Sequence, residues 1–206
     1  MKDNKYIPMI KDAIILFAIT LIAGLMLGVV YDITKEPIAN QQAKAKQEAC
    51  KNVFTSASSF EAIVSEDGPT AFMVAGVESN VTIDEVLSAV DESGNLLGYV
   101  ITVTDHEGYG GDIQFSMGIQ TDGTLNGIAL LSISETAGLG MKAGDVLVPQ
   151  FVNKKVEYFT YTKTGSTNDS EIDAISGATI TTEAIINGVN TGLALFHSGM
   201  LEGGIQ

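Results

Sequence analysis

The spacing of apolar and polar positions changes character along this chain, and each change predicts an element. Ala13 to Tyr31 is a run of nineteen residues without a charge. As a helix rising about 1.5 Å per residue it is roughly 28 Å long, close to the ~30 Å hydrocarbon core of a bilayer. Pro37 to about Phe54 is polar, with Ile38, Ala45, Ala49 and Val53 as the thin apolar stripe of a helix leaving the membrane. Ser56 to Pro69 reads as loop. The period then drops to two. Leu97 to Thr104 is β-branched and apolar behind the turn Ser93-Gly94-Asn95, and Ile113, Phe115, Met117 and Ile119 alternate. Asp122-Gly123 turns the chain into Ile128–Ile133 as a hairpin partner. Helical spacing returns over Thr182–Phe196, with Ala184, Ile185, Val189 and Leu193 on one face. The expected fold is α+β: one transmembrane helix, then a domain built on a mainly antiparallel sheet. The expected organisation is an N-terminus over residues 1–12, a span over 13–31, a juxtamembrane helix or linker over 32–55, and a folded domain over 56–206.

The first run predicts an uncleaved anchor. A signal peptide has a shorter apolar stretch followed by a small-residue cleavage site, whereas Asp32-Ile33-Thr34-Lys35-Glu36 follows here. A lipoprotein leader places cysteine directly behind the run, and Cys50 lies far downstream. Lys2, Lys5 and Lys11 precede the run, while Lys35 follows it with two acids, so the N-terminus is expected in the cytoplasm and the domain outside it. Thr20, Gly24 and Gly28 share one helix face, where a second helix can approach closely.

Composition excludes several chemistries. A single cysteine permits no intrachain disulfide and no cysteine-rich metal site, and the two histidines, His106 and His197, lack ligand spacing. From Val53 onward four lysines face twenty acidic residues, a net of −16, and the chain has no arginine. Such a surface repels nucleic acid.

Three short segments stand apart. Gly108-Tyr109-Gly110-Gly111 reads as an irregular loop whose aromatic can stack on a planar ligand, or as a tight turn with a core tyrosine. Glu135-Thr136-Ala137-Gly138-Leu139-Gly140, followed by Met141-Lys142, suggests backbone pressed close to something. Asp173-Ala174-Ile175-Ser176-Gly177-Ala178-Thr179-Ile180-Thr181-Thr182 is a small-residue turn entering the last helix, which Thr181 or Thr182 can cap, with Glu183 in its first turn. Helix N-termini offer free N–H groups to phosphates, so Thr179 stands where a phosphate can rest; taken alone, Ser, Gly and Thr here are ordinary capping residues. No Gly-x-Gly-x-x-Gly follows a strand, so a Rossmann site is not supported.

Together the three segments resemble the FMN-binding domain of the RnfG family, which is shared by the Rnf electron-transport complex and the sodium-pumping NADH:quinone reductase. Asp173-x-x-Ser176-Gly177-Ala178-Thr179 matches that family's flavinylation motif. The resemblance implies an FMN phosphoester on Thr179, made by a dedicated flavin transferase. It further implies contacts from Ser176, Gly177, Ala178, Thr182, Glu135, Thr136, Gly138, Leu139, Gly140, Lys142, Tyr109, Gly110 and Gly111. It covers nearly the whole chain, and departs where Ala137 replaces the family's usual proline. The short length favours the Rnf type over its counterpart in the quinone reductase. Implied partners are the other membrane and iron–sulfur subunits of the complex and the membrane lipid, with no nucleic acid. The implied role is electron relay in an ion-translocating ferredoxin:NAD⁺ oxidoreductase at the plasma membrane.

Two alternatives differ in class. One makes the chain the FMN-bearing C component of the quinone reductase, which a flavodoxin-reductase-like gene neighbour would indicate. The other is an anchored extracytoplasmic sensor without cofactor, which leaves the three segments unexplained. Lys142 is the cation nearest in sequence to the expected ring contacts, and a cation near N1 favours reduced anionic flavin. If Lys142 lies beside the ring, Lys142→Gln lowers the flavin midpoint potential in a redox titration; an unchanged potential removes Lys142 from that role.

Overall fold

The computed structural model describes residues 6–64 and 80–199. Its sheet is a meander in chain order, β1 (Ser59–Val64), β2 (Val81–Val90), β3 (Leu96–Asp105), β4 (Ile113–Gln120) and β5 (Leu125–Ser132), with every neighbour antiparallel. The central pair keeps unbroken register from Gly98 opposite Gln120 to Asp105 opposite Ile113. Alternation along these strands divides the side chains between two covered faces. Tyr99, Ile101, Val103, Phe115, Met117 and Ile119 point into the main core, and Val100 points the other way.

The main core is closed by the last helix. Ala184, Ile185, Val189 and Leu193, the face expected from spacing, are all buried there. Two glycines let that helix lie close. A Cβ on Gly188 would stand 2.7 Å from Phe115 Cζ, and one on Gly192 would stand 2.2 Å from Met117 Sδ. On the opposite face Cys50, Val53 and Phe54 pack with Ala89 and Val100. Between β5 and the last helix run a 3-10 turn (Gly140–Lys142), α2 (Ala143–Val146), a second 3-10 turn (Val148–Phe151) and the parallel pair β6 (Thr160–Thr162) and β7 (Glu171–Asp173). Phe151 and Phe159 meet edge to face beneath them, with centroids 5.1 Å apart. An α+β fold on a mainly antiparallel sheet agrees with the strand and helix patterns.

The first helix, α1 (Tyr6–Val53), is 48 residues long and continuous through Pro37. It is long and apolar enough to cross a membrane, with mean hydropathy 2.8 in a window that is 0% buried. Leu16, Phe17, Leu25, Met26 and Leu27 are all well exposed, an apolar circumference that suits lipid or other helices and not water. The chain divides into compact units at residues 1–44 and 45–206, so the last turns of α1 belong with the sheet domain. Of the expected stripe, Ala49 and Val53 are buried, whereas Ile38 is exposed.

Several expectations fail locally. Ser59–Val64 lies in the stretch read as loop, yet pairs with β2; positions 65–69 lie outside the described residues, as do Lys2 and Lys5. β2 has no counterpart in the pattern reading, because Asp84 and Glu85 sit mid-strand and the register shifts between Ile83 and Glu85. Asp84 is accommodated by accepting bonds from Thr104 Oγ1 at 2.6 Å and Gln114 Nε2 at 2.8 Å. The last helix, α3 (Thr179–His197), begins three residues before its expected start.

The close seating of α3 makes a stability prediction. Alanine at 188 gains about 1 kcal/mol of helix propensity but forces its methyl against a rigid, fully buried phenyl ring, which costs about 1–3 kcal/mol. Gly188→Ala is expected to lower unfolding stability by about 1 kcal/mol. Denaturant titration of the full chain in detergent checks this, and a stabilised variant overturns it.

Candidate functional site

Folding brings parts of all three segments to one cleft of about 470 Å³. Tyr109 comes from the β3–β4 loop, Glu135, Thr136, Leu139 and Gly140 from the stretch after β5, and Gly177, Ala178, Thr179, Ile180 and Thr181 from the start of α3. The segments are far apart in sequence and adjacent here because β3, β4 and β5 are neighbours and α3 packs on β2, β3 and β4.

Glu135 joins the walls. Its side chain is buried and its Oε1 accepts the Gly110 N–H at 3.2 Å. Gly140 presses the same wall against α3: a Cβ there would stand 2.6 Å from Thr181 Oγ1 and 2.7 Å from Glu135 Cβ. The third segment is shaped by Thr182. Its hydroxyl accepts the Ile175 N–H at 3.2 Å and donates to the Ala178 carbonyl at 2.9 Å, while the Ala178 N–H donates to the Ile175 carbonyl at 3.0 Å. Gly177 completes this turn at φ +80°, a left-handed conformation that suits glycine.

The expected cap is therefore corrected. Thr181 and Thr182 are buried inside the helix, Ala178 takes the N-cap position, and no side chain caps it. Glu183 lies beyond the first turn, where it accepts the Tyr161 hydroxyl at 2.5 Å; that bond raises the phenol above its ordinary pKa. An uncapped N-terminus leaves the first N–H groups of α3 without side-chain acceptors, beside the partly exposed Thr179.

The expected contacts thus divide. Tyr109, Glu135, Thr136, Leu139, Gly140, Gly177, Ala178 and Thr179 line the cleft. Ser176, Gly138 and Lys142 are exposed and not in its lining. Gly110 and Gly111 shape the loop: a Cβ on Gly110 would stand 2.1 Å from the Ser134 carbonyl oxygen, and Gly111 donates to the Gly108 carbonyl at 3.2 Å. Thr182, fully buried, acts through the turn. Ile180 and Thr181 line the cleft and were not marked by the motif reading, since their place depends on where α3 begins. His106 is not part of the lining; its Nδ1 lies 2.9 Å from Asp112 Oδ1.

The cleft suits a flavin mononucleotide in two respects. Tyr109, Leu139 and Ile180 expose apolar surface to it, at 70%, 41% and 47%. The helix start supplies a dipole for a phosphate. Its lining carries one carboxylate and no lysine.

The FMN-binding domain family matches residues 108–194, and the RnfG N-terminal region matches residues 1–53. The G component of the Na⁺-translocating ferredoxin:NAD⁺ oxidoreductase complex of Acetobacterium woodii is 30% identical over 91% of this chain and 91% of its own length. The chain belongs to the RnfG family. The G component of the ion-translocating oxidoreductase complex of Methanosarcina acetivorans is also 30% identical, covering 93% of this chain and 95% of its own. Among solved structures, Shewanella oneidensis NqrC is 16% identical with a TM-score of 0.47, covering 71% of this chain and 72% of that one. Membership of the RnfG family accounts for the anchor and the cleft together, since the two family matches fall one on each.

Glu135 gives a prediction. Glu135→Ala leaves the Gly110 N–H without its acceptor and is expected to cost about 1–2 kcal/mol, whereas Glu135→Gln keeps an acceptor and costs under about 0.5 kcal/mol. Denaturant titration separates the pair; equal losses overturn the assignment.

Proposed function

We propose that this protein carries FMN as a phosphoester on Thr179 and relays electrons within an ion-translocating ferredoxin:NAD⁺ oxidoreductase complex. FMN supplies one- or two-electron transfer, and the protein supplies its place and surroundings. The observation that carries the reading is the position of Thr179. It is the first residue of α3 and stands on the lining of a cleft walled by two other segments. Of the threonines at 179, 181 and 182, the latter two are buried at 1% and 0% exposure, so Thr179 is the hydroxyl accessible to a modifying enzyme.

Free FMN would have to expel water to esterify threonine, so an activated flavin nucleotide is required. In the proposed step the Thr179 Oγ–P bond forms as a phosphoanhydride P–O bond of a flavin dinucleotide breaks. The nucleoside monophosphate departs and the hydroxyl proton passes to the transferase or solvent. The ester carries one negative charge where free FMN carries two. That matters in a domain of net −16 whose cleft has no lysine. The tether retains the flavin, and contacts from Tyr109, Glu135, Thr136 and Leu139 set its potential.

The lysines before the anchor favour a cytoplasmic N-terminus and a flavin domain outside, where free FMN is scarce. The partners in this reading are the membrane and iron–sulfur subunits of the complex and the flavin transferase that matures the chain. Two relatives from such complexes at 30% identity favour this assembly over the quinone reductase.

Thr179→Val is expected to abolish stable flavin binding. Co-production with the transferase should give a wild-type chain whose denatured band fluoresces and whose intact mass includes one FMN, and a variant with neither. A variant retaining full FMN, or an unmodified wild type, refutes the reading.

A further inference from the structure

We infer that Gln150, which lies outside both the cleft and the motif, is a positioning residue for flavin attachment at Thr179; the inference rests on the reading just given. Gln150 lies in the second 3-10 turn (Val148–Phe151), downstream of the Glu135–Lys142 wall. Its side-chain amide is fully used. Oε1 accepts the Asp173 N–H at 2.7 Å, and Nε2 donates to the Asp173 carbonyl at 3.1 Å and to the Val146 carbonyl at 2.7 Å.

Asp173 is the last residue of β7 and the first of the attachment motif. On one side its strand pairs with β6, where Thr162 is its partner. On the other side Gln150 satisfies both of its main-chain groups, as a neighbouring strand would. The Asp173 carboxylate is occupied as well, accepting the Ser166 N–H at 2.6 Å. The motif's aspartate is thus held by main chain and side chain before the segment turns into the cleft.

The attachment turn is then fixed at two ends. Gln150 holds its start at Asp173, and Thr182 holds its close at Ile175 and Ala178. Because Gln150 also donates to the Val146 carbonyl of α2, it ties the helical stretch that follows the Glu135–Lys142 segment to the start of the segment carrying Thr179. Transfer of a phosphoryl group to Thr179 Oγ, with the anhydride bond breaking as the new bond forms, demands in-line approach. Small displacements of the acceptor therefore cost rate.

The test uses the full-length chain, produced without the transferase and purified in detergent. Wild type, Gln150→Glu, Gln150→Met and Thr179→Val are treated with the transferase and a flavin dinucleotide, and mass gain is followed with time. Gln150→Glu sets an acceptor against two carbonyls, and Gln150→Met keeps the bulk without donor or acceptor. Both are expected to flavinylate roughly tenfold more slowly, the scale set by losing part-buried hydrogen bonds to the Asp173 main chain. The visible circular dichroism of the flavinylated fraction should differ from wild type, which loss of stability alone would not produce. Flavinylation of both variants within twofold of wild type overturns the inference. So does a slowing that vanishes well below the melting transition. If wild type gains no flavin, or Thr179→Val gains it equally, the attachment reading fails and this inference falls with it.

Discussion

The close approach of α3 to the sheet is the constraint on which the site depends. Glycine at 188 and 192 leaves room for Phe115 and Met117 to rise from β4 into the helix surface. The helix cannot roll without lifting off those side chains, so its phase is set. At 3.6 residues per turn, the phase that buries Ile185, Val189 and Leu193 also buries Thr181 and Thr182. Thr179 is left at the rim. The core thus selects which of three nearby hydroxyls stays exposed at the cleft.

The same seating explains why the walls need internal fastening. The cleft lies at the junction of a strand loop, a stretch of short helical turns and a helix start, none of which is held by the ladder of the main sheet. Side chains take over that task by satisfying main-chain groups. Glu135 accepts from Gly110, Gln150 pairs with Asp173, and Asn190 pairs in the same way with Phe159, accepting its N–H at 2.7 Å and donating to its carbonyl at 2.9 Å. Buried main-chain groups away from a sheet require such partners. Electrostatics point in a consistent direction. A domain this acidic opposes a bound dianion, and a cleft whose lining has no lysine offers it only the helix start.

Legibility in the sequence varied with how local the cause was. The anchor, β3, β4, β5 and the apolar face of α3 followed from period and composition. β1 and β2 did not: an acidic pair and a register shift interrupt the alternation, and Asp84 is tolerable only because Thr104 and Gln114 come from neighbouring strands to meet it. The start of α3 was misplaced because a threonine before a helix reads as a cap. Here Thr182 bonds backward to Ala178 from within the helix.

The sequence by itself determined the identity of the groups: an apolar span, an acidic domain, three glycine-bearing segments and a threonine in a flavinylation-type motif. These are properties of neighbouring residues and need no partner to be read. Tertiary structure alone decided which groups share the cleft. It set Lys142 and Ser176 outside the lining, drew Ile180 and Thr181 into it, and assigned Thr182 to the turn. It also gave Gln150, which no motif marks, a place beside Asp173. The reason is that side-chain partnership across long sequence separation depends on how the helix and strands pack, and local patterns carry no record of that.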